Sequence, residues 1–155
     1  MQESKSLPDD FEEMDFVVEE ENWNEYELDD DSKIKARIIL KKIIRDPNNT
    51  KIYNFDINPA IFAVHAPQTK RGEKNKEPTP DQYNTLESYE LRINRSAEKW
   101  NVYRILKTGQ TMRVRLTVSR IRRIKDKFDK DGLPFYLIDS GPMIIMDPLK
   151  KNMGQ

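Results

Sequence analysis

From Thr111 to Ser119 the chain alternates without a break. Met112, Val114, Leu116 and Val118 are apolar, and Arg113, Arg115, Thr117 and Ser119 lie between them. A period of two places these sets on opposite faces of an extended chain, so the pattern predicts a half-buried β-strand. An earlier run, Ile34-Lys35-Ala36-Arg37-Ile38, follows Asp29-Asp30-Asp31-Ser32 and stops before Pro47. Taken alone, it also fits a capped helix.

Internal similarity decides between the two. Trp23-Asn24-Glu25-Tyr26 recurs as Trp100-Asn101-Val102-Tyr103. The Ile34–Ile38 run then aligns with Met112-Arg113-Val114-Arg115-Leu116, Ile43 with Ile121 and Arg45 with Arg123. Further on, Asp56-Ile57-Asn58-Pro59 aligns with Asp139-Ser140-Gly141-Pro142, and Met14, Phe16 and Val18 lead in as Leu91 and Ile93 do. Matches in the same order imply a duplicated unit. The first run is then also a strand, with Ile34, Ala36, Ile38 and Leu40 inward, and its β-branched Ile agrees.

Turn chemistry supplies the remaining boundaries. Asp131-Gly132, before Phe135-Tyr136-Leu137-Ile138, is a hairpin signal. Asp46-Pro47-Asn48-Asn49 takes that place before Ile52-Tyr53-Asn54-Phe55, and Pro59 and Pro142 introduce short apolar strands. The expected fold is mainly β. It consists of two duplicated small β-barrel units of SH3-like or OB-like size, either in tandem or fused into one pseudo-symmetric barrel. The boundaries read as an acidic disordered tail over 1–12, a first repeat over 13–66, a polar linker or loop over 67–87, a second repeat over 88–148 and a tail over 149–155.

Composition narrows the chemistry. With no Cys, the 155 residues hold no disulfide, thiolate metal site or cysteine nucleophile. One His does not build a poly-His metal site, and five scattered Gly form no phosphate-cradling loop. No cofactor is expected. No apolar run approaches the roughly 20 residues of a membrane span, and the acidic start is unlike a secretory leader, so the expected location is cytoplasmic.

A formal net charge of zero conceals a segregation. Residues 1–32 carry 14 acidic side chains and one basic one, Lys5, whereas the other 123 carry 26 basic and 13 acidic. The excess of cations converges on Arg113, Arg115, Arg120, Arg122, Arg123 and Lys125, echoed by Lys35 and Arg37. Such arrays bind phosphate backbones by releasing counterions, and Trp100, Tyr103 and Tyr136 are candidate stacking platforms beside them. The sequence thus predicts a non-catalytic module contacting nucleic acid or an acidic protein surface, tempered by its acidic N-terminus. On that reading, deleting residues 1–31 raises affinity for polyanions. The alternative is a protein–protein adaptor or assembly subunit using exposed strand edges. Oligomeric state is left open.

One catalytic arrangement can be constructed. Asp139-Ser140-Gly141 after Leu137-Ile138 resembles the Asp-Thr/Ser-Gly of retroviral-type aspartic proteases, and Asp56 holds the equivalent place, so a paired-carboxylate hydrolase is a remote alternative. The first copy lacks the hydroxyl and the Gly, and Pro follows both, which favours an Asx-type turn. His65, at the end of an apolar strand, has no serine motif or second His to support it as a base.

Overall fold

A computed structural model describes residues 11–149. Of the tails expected at 1–12 and 149–155, residues 1–10 and 150–155 lie outside the described residues. The described chain is mainly β, with no α-helix among its elements. In chain order the strands are β1 (Glu12–Met14), β2 (Phe16–Glu20), β3 (Asn24–Leu28), β4 (Lys33–Arg37), β5 (Leu40–Asp46), β6 (Asn49–Ile57), β7 (Ile61–His65), β8 (Ser88–Leu91), β9 (Ile93–Ala97), β10 (Asn101–Ile105), β11 (Thr111–Phe128) and β12 (Pro134–Met146).

They form three antiparallel sheets, in the orders β1-β5-β6, β12-β11-β10-β2 and β7-β4-β3-β9, with β8 also paired to β11. None of these paths closes into the barrels that strand count alone suggested. The physical reason is strand exchange. β2 leaves its neighbours to pair with β10, matching Phe16 with Ile105 and Val18 with Tyr103. Reciprocally, β9 pairs with β3, matching Ser96 with Tyr26. Each half therefore completes a sheet of the other.

The alternating residues fill one continuous core. Ile34, Ala36, Ile43, Tyr103, Ile105 and Met112 are wholly inaccessible, and Tyr26, Val114, Leu116 and Ile121 nearly so. Burying an aliphatic side chain of this size is worth about 2 kcal/mol. With only 36% apolar residues, few such positions carry the stability.

Several contacts recur at positions 77 or 78 residues apart. Asn24 Nδ2 donates to the Leu116 carbonyl at 2.8 Å, and Asn101 Nδ2 to the Ile38 carbonyl at 3.1 Å. Asn24 Oδ1 accepts from Lys99 N at 2.9 Å, and Asn101 Oδ1 from Asn22 N at 2.8 Å. The Tyr26 hydroxyl donates to Glu98 and the Tyr103 hydroxyl to Glu21, both at 2.8 Å. Arg37 lies over Trp23 at 5.2 Å and Arg115 over Trp100 at 4.6 Å. Every one of these hydrogen bonds joins one half of the chain to the other.

Three local expectations are corrected. Glu12 belongs to β1, opposite Arg45, so the strands begin inside the segment read as tail. Asp139 to Pro142 form no turn but run through β12, with Asp139 opposite Arg120 and Pro142 opposite Leu116. β12 is the outermost strand of its sheet, where a missing N–H is tolerated. Residues 67–87 are mostly exposed but anchored, with Pro78 buried, two short 3-10 helices (Gln68–Lys70 and Pro80–Gln82) and a bridge between Lys76 and Phe128.

Candidate polyanion-binding site

The outer face of β11 is less open to ligands than its arginine count suggests. Arg113 Nη2 lies 3.2 and 3.1 Å from the two carboxylate oxygens of Asp147. Arg120 Nε contacts Glu90 at 3.1 Å, Lys125 Nζ is 3.7 Å from Glu87 and Arg37 is 3.1 Å from Glu21. Among the described residues Arg122 reaches only the Asn84 amide oxygen, at 3.5 Å. Lys35 has no ion pair among the described residues. Trp100 carries the Arg115 guanidinium on its ring. Tyr103 is excluded as a stacking platform, because it is wholly buried in the core.

Tyr136 is likewise committed inward. Its hydroxyl lies 2.8 Å from both Asp30 Oδ2 and Ser32 Oγ. Asp30 also receives Arg123 Nη1 at 2.8 Å, the Ser32 N–H at 3.0 Å and the Ser32 hydroxyl. Burial pushes the Asp30 carboxyl up, but the hydrogen bonds from Ser32 and Tyr136 and the Arg123 charge together outweigh it, and its pKa falls below the ordinary carboxylate value. For Tyr136, burial and the Asp30 carboxylate raise the phenol above its ordinary value. The cluster holds Arg123 in place with its guanidinium 5.3 Å from the Tyr89 ring.

From Glu12 onward the acidic N-terminal segment is folded into this arrangement. Glu12 pairs with Arg45 and Lys107, Glu19 with Arg104, Glu21 with Arg37, Glu25 with Lys33, Glu27 with Arg95 and Asp30 with Arg123. The more exposed pairs are individually worth little, about 0–1 kcal/mol. Their joint effect is to neutralise part of the positive charge on β4, β5, β9 and β10.

Positive charge survives where β11 leaves its partner. Register with β12 breaks between Arg123 and Phe128, and Asp126 adopts a left-handed backbone with φ 60°. This bulge turns Ile124 onto β8, opposite Ser88, and gives the Lys125 N–H to the Glu87 carbonyl at 3.0 Å. The segment following β7 is fastened alongside. Gly72 N donates to the Gly132 carbonyl at 2.8 Å, and Asn75 N to the Asp129 carbonyl at 2.9 Å. Gly72 sits flat on Phe128, where an added Cβ would meet the ring at 2.3 Å.

Between this strap and the bulge opens a cleft of about 270 Å³ bordered by Lys70, Arg71, Tyr89, Arg123, Lys125 and Lys127, with Asp126 as its one carboxylate. A second cleft, of about 540 Å³, is bordered by Lys33, Lys35, His65 and Arg71, with Asp31 at its rim. Arg71 belongs to both. Among the described residues Lys70, Arg71 and Lys127 form no ion pair. The sequence reading took in Arg123, Lys125 and Lys35 but missed Lys70 and Arg71. Their only sequence signal was the run Lys70-Arg71-Gly72, set in a stretch too polar to suggest a packed element.

The two aspartates of the hydrolase alternative fall in different sheets. Asp56 is in β6, 3.6 Å from Lys41, and Asp139 is in β12 opposite Arg120. His65 lies on the second cleft, paired in register with Lys33. No helix of the described residues is long and apolar enough to cross a membrane. No family model, curated protein or solved structure matches this chain.

Proposed function

We propose that this protein is a non-catalytic binding module for nucleic acid or a comparable polyanion, acting in the cytoplasm through the basic C-terminal half of β11 and the strap beside it. The observation that carries this reading is the pair of adjoining clefts sharing Arg71. Seven Lys or Arg residues and the Tyr89 ring border them, and four of the seven, Lys35, Lys70, Arg71 and Lys127, have no ion pair among the described residues, whereas Lys33, Arg123 and Lys125 do. Phosphates displacing counterions from such a recess gain free energy that falls steeply with salt. The acidic segment is supported as a tempering element by its carboxylates' pairing with Lys33, Arg37, Arg45, Arg95, Arg104, Lys107 and Arg123.

We also infer that the chain arose by duplication of one unit and that its halves form a single interlocked body. The recurring Asn, Tyr–Glu and Trp–Arg contacts support this, as does the reciprocal exchange of β2 and β9.

The test is fluorescence anisotropy of the full chain with labelled single- and double-stranded oligonucleotides at low and moderate salt. Binding that weakens steeply with salt is expected. Absence of binding to either at low salt would overturn the reading. Deletion of residues 1–31 cannot serve for the tempering role, because it removes β1, β2 and β3 with the core residues Met14, Tyr26 and Leu28. Neutralising exposed carboxylates, as in Glu19→Gln with Glu27→Gln, keeps the fold and is expected to tighten binding.

A further inference from the structure

Resting on that polyanion reading, we propose that the two clefts around Arg71 form one groove that seats a single strand of nucleic acid, with phosphates on Lys35, Arg71 and Lys127 and a base against Tyr89. The cations lie in recesses rather than on a convex ridge, and a recess follows one backbone. The clefts adjoin through Arg71, so neighbouring phosphates of one strand can occupy them in turn. Tyr89 is 38% exposed at the wall of the smaller cleft, with the Arg123 guanidinium 5.3 Å from its ring on one side, so the base takes the other. A cationic groove with an aromatic at its wall is the arrangement that holds unpaired bases, because every base has a stacking face.

The features that would read a duplex are missing or turned away. The described residues contain no α-helix to enter a major groove. A two-stranded ribbon also fits that groove, and β11 with β12 is such a ribbon. Its tip, however, is the acidic turn Asp129-Lys130-Asp131. That turn is fastened to the strap through Gly132 and Asp129 and shaped by Asp129 Oδ1, which accepts from Asp131 N at 2.8 Å and Leu133 N at 3.0 Å. An acidic, tethered tip does not insert between phosphate backbones.

The strap makes the groove. Lys70 and Arg71 belong to it, and its position depends on Gly72 lying on Phe128 and on the backbone bond to Gly132. Lys127 reaches the same cleft only because the bulge at Asp126 redirects the end of β11.

The experiment titrates the full chain into a labelled oligothymidylate and into a duplex of equal length, with Arg71→Ala, Lys127→Ala, Tyr89→Leu and the control Lys51→Ala. The oligothymidylate is expected to bind about tenfold tighter than the duplex, the worth of one stacked base. Arg71→Ala and Lys127→Ala should each weaken it about tenfold and lower the log–log salt slope by about 0.7. Tyr89→Leu should weaken oligothymidylate binding but leave inorganic polyphosphate binding unchanged, and Lys51→Ala should alter neither. Circular dichroism establishes that each variant is folded. Oligonucleotide binding indifferent to Arg71 and Lys127 would overturn the groove while leaving the polyanion reading intact. Equal or tighter duplex binding would overturn the single-strand preference. Failure of every polyanion to bind would overturn both.

Discussion

Replacing Asn24 or Asn101 by Ala tests whether the halves of this protein are held as one body. Both side chains are buried, at 2% and 3% exposure. Asn24→Ala strips partners from the Leu116 carbonyl and the Lys99 N–H, and Asn101→Ala from the Ile38 carbonyl and the Asn22 N–H. A buried backbone group left without its partner costs about 1–3 kcal/mol, so one buried carbonyl together with one part-buried N–H, which water partly satisfies, places each substitution at about 3 kcal/mol. For a chain of this length that corresponds to a fall in Tm of about 6–12 °C. Since every broken bond crosses between the halves, each variant should still unfold in a single transition, by differential scanning calorimetry and by denaturant with fluorescence detection. The two losses should agree within about 1 kcal/mol, because the two sites make the same bonds. A loss below about 0.5 kcal/mol for either, or a transition that splits in two, would refute the argument.

Other outcomes follow from the same geometry. Gly72→Ala puts a Cβ into the Phe128 ring and should release the strap, seen as faster amide exchange over residues 68–76 and weaker polyanion binding with little change in Tm. Asp30→Asn should cost about 3 kcal/mol at neutral pH by unpairing Arg123. Because the folded pKa of Asp30 is depressed, its contribution is complete above the unfolded value near 3.9 and is lost as pH falls through the lower folded value. The stability gap between wild type and Asp30→Asn, measured by urea unfolding, should therefore narrow in acid, and a gap constant down to pH 2 would contradict it. Burial, with the carboxylates of Glu98, Glu21 and Asp30, raises the phenols of Tyr26, Tyr103 and Tyr136. Their stabilising effect is present below the ordinary phenol pKa and is lost above it. In alkaline absorbance titration these three of the six tyrosines should ionise only as the chain unfolds.

Much of the fold was legible because alternation is a local signal. Met112, Val114 and Leu116 face the core as their spacing demands, and so do Ile34, Ala36 and Ile38. The Asp131-Gly132 turn was equally legible, since Gly132 takes the positive φ of 81° that such a turn requires. Strand exchange was not legible. Whether Phe16 faces Ile105 or a residue of its own half is decided by packing between distant segments that present similar apolar faces. The continuity of β12 through Pro142 was hidden because proline is a breaker except on an outer strand, and outer position is a property of the finished sheet. The candidate site was half visible. The cations of β11 stand out in the sequence, but which of them stay free depends on carboxylates up to 93 residues away, as for Asp30 and Arg123. The strap carries no apolar pattern because backbone hydrogen bonds and the flat contact of Gly72 hold it in place.

The central claim is that the surviving positive charge around Arg71 binds a phosphate backbone. The most direct measurement is an amide chemical-shift titration of the isotopically labelled full chain with an oligothymidylate at low salt. Shifts concentrated on residues 70–72, 124–128 and 33–35, reversed by added salt, are the predicted result. Shifts confined to residues 111–119, or none at saturating oligonucleotide, would contradict it.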